Sequence, residues 1–408
     1  MIKSSKQRKK LRFYAIVLFL IIQLFILFLV SQFTISFVTA DDFSSGKEVA
    51  LSSSLQESIG ALLDNLDLKA LEEYLHSLEG ISQDSVKDRL LATIQGAAFD
   101  YADFGNQLLQ ILFKNVVDIL PAFACIAAIG LLSGFLTAIR SNTNAKTTAD
   151  AVFFITFAAT LIPLIAVVIE CFQKSLAGVD AMREQMQIIY PIMLTLIAAC
   201  GGTITVSVCK PAVAFYCNTI VSVITSIVYP ITIVIVVFSI ANHLSKDLKI
   251  NKFIAFFKSI NKWIIGVCVS AFGIFFTLQG ITVSTYDGIT KRAAKYAITN
   301  GIPIIGGFLS GGFDLAVAGS ILIKNSLGSF SIFLLLSVLF EPVVLLICVG
   351  LLLRLTAAIT QPFGDGKIAD FLGETAENLQ YCLAGLLFTA FLYFLSIVML
   401  ISFSEVLF

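Results

Sequence analysis

The sequence predicts an all-α polytopic membrane protein, on three observations. The chain of 408 residues is 58% hydrophobic and only 13% charged, with mean hydropathy +0.93; about a quarter of the residues in an ordinary soluble domain are charged. From Val116 onward, apolar runs long enough for about 20 residues to cross a bilayer follow one another closely. A strongly basic N-terminus leads directly into the first apolar run. The net charge is zero, so nothing in the composition points to a nucleic-acid partner.

Residues 1–40 read as a signal peptide or signal anchor. Lys3, Lys6, Arg8, Lys9, Lys10 and Arg12 precede an apolar run from Phe13 to Val30, and "FVTADD" follows. Val38 and Ala40 fit cleavage after Ala40, while the length of the run leaves an uncleaved anchor open. In both cases the next segment is delivered outside the cytoplasm.

Residues 41–112 read as an acidic helical extracytoplasmic domain. Between Asp41 and Gln110 there are 13 Asp and Glu against 4 Lys and Arg. Leu66, Ala70, Leu71, Tyr74, Leu75 and Leu78 recur at helical spacing behind a capping residue, Asp67, and Leu90, Leu91 and Ile94 continue the pattern. A domain of about 70 residues is marginal alone, so docking on the membrane part or on a partner is expected.

Residues 113–408 form the multi-pass domain. About eight membrane segments are expected, near 116–139, 151–169, 188–209, 212–240, 263–283, 303–323, 328–353 and 381–403. Pro230 and Pro342 interrupt the two longest runs and predict kinks. Pro191 and Pro230 are 39 residues apart, as are Pro303 and Pro342, and the pairs are offset by 112 residues. That offset predicts an internal repeat, with halves at about 151–262 and 263–380. Matching proline-led segments in two halves are where repeated membrane folds place broken helices. Gly201 and Gly202 in the first half then correspond to Gly311 and Gly312 in the second. Close helix packing explains these glycines equally well, and Gly307 with Gly311, like Gly130 with Gly134, has GxxxG spacing.

Asp314 and Glu341 lie inside apolar runs, where a carboxylate is costly and marks a candidate pathway residue. For Asp314 the alternatives are a side chain facing a polar space opened by the glycines, or a structural carboxyl. For Glu341 an ion pair, or a protonated carboxyl bonded to carbonyls freed by Pro342, is favoured. Lys210 and Lys324 each follow a glycine-containing span and read as snorkelling side chains. "KFIAFFKSINKW" from Lys252 is amphipathic and suits an interfacial helix on anionic lipid. Its charge belongs in the cytoplasm, which requires that 188–209 dip in and return without crossing.

No enzyme signature is present: GxSxG, HExxH and Walker A sequences are absent, and His76 and His243 have no companion ligands nearby. "GDGK" at Gly364–Lys367 reads as a turn after Pro362. All eight cysteines lie in or beside apolar runs and read as free thiols. No catalytic residue, cofactor or metal is expected.

Several strings carry a resemblance: "YPIMLTLIAACGG" from Tyr190, "STYDGITKRAAKYAITNGIPIIGGFLSGGFD" from Ser284, "LIKNSLG" from Leu322 and "LRLTAAITQPFGDGKIADFL" from Leu353. With these the chain resembles the stage III sporulation protein AE family of spore-forming Firmicutes, best over 284–372. The resemblance implies a multi-pass component of the channel or secretion-like complex between mother cell and forespore, needed for endospore formation and late forespore gene expression. It implies the mother-cell membrane around the forespore as location. The implied partners are the other stage III sporulation A-operon proteins and stage II sporulation protein Q. A stand-alone secondary transporter and a non-conducting scaffold are the alternatives.

Overall fold

The computed structural model describes residues 53–77, 85–94, 101–140, 146–202, 206–207, 209–211, 215–244, 250–274, 277, 306–363 and 366–402. The signal segment, Pro303 and the 284–302 loop lie outside these. The chain forms two compact units, Met1–Glu57 and Ser58–Phe408, and of the first only the opening of one helix is described.

Every regular element among the described residues is helical. Three short helices come first: α1 (Ser53–Asn65), α2 (Lys69–Ser77) and α3 (Val86–Ile94). Then come α4 (Tyr101–Arg140), the 54-residue α5 (Lys146–Ala199), α6 (Tyr229–Leu244), α7 (Asn251–Ile274), the 58-residue α8 (Gly306–Phe363) and the 37-residue α9 (Gly366–Ser402).

Eight separate spans were expected, and the described residues hold five helices long and apolar enough to cross, with the shorter apolar stretch Val116–Leu132 in α4. The reason is fusion. The runs at 151–169 and 188–209 are parts of one helix, α5, and those at 303–323 and 328–353 are parts of another, α8. Pro163, Pro191 and Pro342 sit inside these helices without ending them. The first half joins its span to the proline-led segment behind it, whereas the second joins the proline-led segment to the run that follows. Among the described residues the arrangement of the helices therefore does not show the 112-residue repeat.

Helices α5 and α8 run antiparallel. Lys174 meets Glu341, Gly178 meets Pro342, the Gln185 amide meets Leu334 O, and Cys200 Sγ meets Val317 O. At 1.5 Å per residue α5 is about 81 Å long, far more than the ~30 Å hydrocarbon core. Exposure shows which part faces lipid. Every exposed large apolar side chain described on α5 lies between Phe154 and Leu176, and every one on α8 between Ile347 and Ile359. The same level of the bundle exposes Phe113 to Phe135 on α4 and Ile233 to Leu244 on α6. Phe154 to Leu176 spans about 33 Å of helix, one bilayer thickness. Helix α9 exposes no large apolar side chain among its described residues and forms the axis of the bundle.

Beyond that belt the apolar halves of α5 and α8 are covered by protein. Ile189, Tyr190, Met193 and Ile197 are buried, as are Ile323, Leu327 and Phe330. Helices α1–α3 supply part of the cover. Leu71 and Leu90 are fully buried, the Gln185 amide donates to the Tyr74 hydroxyl (2.9 Å), and Ser326 Oγ donates to Leu90 O (3.1 Å). Gly319 leaves room for Leu62 and Ile59. Helices α1–α3 are thus docked on the membrane part, while the expected domain end at 112 falls inside α4. Asp67 accepts from the Lys69 amide (3.4 Å) at the start of α2, where the sequence placed its cap. We call this half of the molecule the head.

Candidate functional site

Helix α6 follows an irregular approach. Tyr216–Ile220 and Ile224–Val228 are π-helical, separated by three α-helical residues, Val221–Val223. The second widened turn directly precedes Pro230. A proline lacks the N–H for the carbonyl four residues back and its ring collides with it, so widening the turn relieves the clash in place of a sharp kink.

Along this helix runs a file of polar side chains, fully buried at its centre, through the lipid-facing level. At one end the Lys258 ammonium (α7) donates to Glu374 Oε1 (α9) at 2.9 Å, and His243 Nδ1 (α6) lies 3.7 Å from Glu374 Oε2. These three side chains are 13–22% exposed. His243 Nδ1 also lies 2.9 Å from Ser239 O, which makes that nitrogen the protonated one. Further in, Asn261 Nδ2 donates to Thr232 Oγ1 (2.9 Å), which itself donates to Val228 O (2.7 Å). Next, Tyr229 donates to Cys382 O (3.4 Å), leaving Ser175 Oγ as the donor to the Tyr229 oxygen. At the far end Arg183 donates to Thr225 Oγ1 (3.2 Å) inside the second π turn, and Gln187 to Asn218 (3.2 Å).

Besides Arg183 Nε at its far end, four polar atoms in this file have no hydrogen-bond partner among the described residues. They are Asn378 Nδ2 and Oδ1, Asn261 Oδ1 and Ser239 Oγ, and all three residues are 0% exposed. Leaving a buried donor or acceptor unpaired costs about 1–3 kcal/mol, so three such residues together are not explained by packing. Helical spacing, with the Asn261–Thr232 bond, puts them between the Glu374–His243 pair and the Tyr229–Ser175 hydroxyls. Asn378 is one turn from Glu374 and one from Cys382, and Ser239 is one turn from His243.

The residues singled out by sequence fall elsewhere. Gly201 ends α5 with φ 89°, its amide bonding Ala198 O and that of Gly202 bonding Ile197 O. This is a Schellman cap, which needs the left-handed glycine. Pro191 is exposed on the wall of a groove of about 740 Å³ between α1–α2 and α5, together with Asp67, Glu73 and Glu184. Gly307, Gly311 and Gly312 lie within α8, whose backbone is helical from Gly306 on. The expected opening of that backbone is therefore corrected to unbroken helix. Asp314 is exposed on α8 at the head end, away from the polar file. Glu341 pairs with Lys174 at 2.6 Å, both about half exposed. Of the two readings favoured for Glu341, the ion pair is the one seen. The Pro342 ring packs on Gly178. Lys324 does not snorkel: it is 0% exposed and donates to Ile401 O, in the last turn of α9. There a cation meets the carbonyl end of a helix.

The file eluded sequence reading because its members are single Ser, Thr, Asn and Tyr residues in apolar runs, each ordinary by itself. The one available signal was spacing: Thr232, Ser239 and His243 share a face of α6, as Glu374 and Asn378 do on α9.

Comparison with known proteins settles the family. The family model described as "Stage III sporulation protein AE" matches residues 85–404. The chain belongs to the stage III sporulation protein AE family. It is 22% identical over 324 residues to Stage III sporulation protein AE of Bacillus subtilis (strain 168), which covers 79% of this chain and 81% of that protein. No solved structure matches. A role in sporulation follows from the family, and the long apolar helices make the chain a membrane protein.

Proposed function

We propose that the protein is a multi-pass subunit of the channel or secretion-like complex joining mother cell and forespore, seated in the mother-cell membrane around the forespore. The single observation that carries this is the division of α5 and α8 into a lipid-facing half and a protein-covered head. A head held rigidly by two continuous helices offers partners a fixed surface outside the bilayer. The other stage III A-operon proteins and stage II sporulation protein Q are the partners this reading assigns to it. The head faces the intermembrane space, because Lys252, Lys258, Lys262 and Lys367 gather toward the opposite end of the bundle and the positive end is cytoplasmic.

Purification of the full chain in mild detergent from sporulating cells tests the proposal. Co-purification of the A-operon proteins, lost on Asp67→Lys with Glu184→Lys while the protein remains in the membrane, is the expected result. Isolation of the wild-type chain alone, with spore yield unaffected by its deletion, would refute it. The second reading is a stand-alone transporter, and the polar file favours it. Solute uptake by the chain alone in liposomes, with no partner bound in cells, would select that reading.

A further inference from the structure

We propose that Asn378, Asn261 and Ser239 form a hydrated site inside the bundle, and that this site passes protons between the Glu374–His243 pair and the Tyr229–Ser175 hydroxyls. The proposal rests on the polar file as a functional centre and not on membership of any complex.

The orphaned atoms identify the ligand. Asn378 offers both a donor and an acceptor, Asn261 an acceptor, and Ser239 a hydroxyl that can do either. The Asn261 orientation is fixed: Thr232 spends its proton on Val228 O, so it must accept from the Asn261 amine, leaving Oδ1 turned to the site. A metal cation could use the acceptors but not the Asn378 amine, and the Lys258 ammonium beside Glu374 would repel it. Water uses donors and acceptors together, typically making about three bonds to buried polar groups.

Such waters connect groups that can exchange protons. At one end stand the Glu374 carboxylate and the His243 ring, with Lys258 also bonded to Glu374. At the other stand Tyr229 and Ser175, already bonded to each other. Each oxygen along the way takes one proton as it releases another, so only O–H bonds form and break and no oxidant or co-reactant is needed. The widened turns beyond Tyr229 carry the file on to Thr225 and Arg183.

The test uses the full chain in membrane vesicles with all eight native cysteines replaced. Ser239→Cys should react with a small water-soluble methanethiosulfonate about tenfold or more faster than Ile235→Cys, since the attacking species is a hydrated thiolate. Ile235 is equally buried, one turn away on α6, and apolar. Adding Asn378→Leu should slow the Ser239→Cys reaction to the control rate. In liposomes with a potassium-valinomycin potential, the wild-type chain should take up protons, and Asn378→Leu and Glu374→Gln should each lose most of that flux. Equal inertness of the two cysteines, or flux that both substitutions leave unchanged, overturns the proposal. Failure of co-purification with partners, beside intact labelling and flux, refutes the assembly reading alone.

Discussion

Two glycines on the same helix should respond to alanine with opposite signs. A Cβ on Gly328 would sit 2.4 Å from Ile401 Cδ1 and 2.6 Å from Ile401 Cγ1, with Met193 Cε at 3.7 Å. Ordinary contact begins near 3.5 Å, so about 1 Å of movement is required. Rotating the terminal methyl relieves the first overlap. The Cγ1 overlap needs a new side-chain rotamer or a shift of α9, whose last turn is also bonded to Lys324. Overpacking of this kind costs about 1–3 kcal/mol. A Cβ on Gly350 meets nothing within 4 Å. Alanine there only removes the backbone freedom of glycine and should stabilise α8 by up to about 1 kcal/mol. Thermal unfolding of the full chain in detergent, followed by near-ultraviolet circular dichroism, should give a lower Tm for Gly328→Ala and an equal or higher Tm for Gly350→Ala. Gly328→Ala at or above wild type, or the two substitutions destabilising alike, would refute the packing of α9's end on α8.

Gly130→Leu should separate α4 from α8, because even a Cβ there would lie 2.3 Å from Thr360 Cγ2; the check is loss of a Cys crosslink engineered across that crossing, with the protein still in the membrane. Lys324→Met should leave the last turn of α9 without its buried donor, seen as faster amide exchange over Ile397–Ser402 while the belt of α5 stays protected. Burial pushes the Tyr74 phenol up to about 12 from its ordinary value near 10. Docking of α2 is therefore unaffected below pH 10, where the phenol is neutral both docked and free, and weakens from pH 10 towards 12 as only the free form ionises. Protease cleavage within α2 should rise across that window in wild type and stay flat in Tyr74→Phe.

Local features were the most legible in the sequence. The cap at Asp67, the buried face of α2 and the need to dock a small helical domain follow from spacing and size, and each has its counterpart in the fold. The number of spans was not legible, because hydropathy measures how apolar a run is and not what covers it. Ile189–Ala199 is as apolar as many membrane segments, yet it is packed against α8 and α9. The polar sequence at Lys324–Ser326 looked like a loop between spans, but it is part of a continuous helix with Lys324 and Ser326 buried. The polar file was invisible for the complementary reason. Its residues become a set only when α6, α7 and α9 are brought side by side, and nothing in one run records the neighbours in another.

The fused helices also resolve the conflict over charge. With 188–209 as an independent crossing, the lysines of 246–262 would lie on the side opposite the 141–145 loop. As the outer part of α5, that run adds no crossing. Helix α5 then begins at the end of the bundle opposite the head and finishes in the head, and α6 returns to place His243 beside Glu374 at that opposite end. Lys258 binds the same carboxylate, which fixes the start of α7 there too. The antiparallel pairing of α5 with α8 brings the last turns of α8 to the same end, and α9 rises from there to put Ile401 beside Lys324 in the head. The start of α5, the end of α6, the start of α7, the end of α8 and the start of α9 accordingly gather at a single end. That end carries the basic residues, while the acidic helices α1–α3 occupy the other. Helix packing thus separates the head from the basic end, which is the separation that the proposed orientation of the head requires.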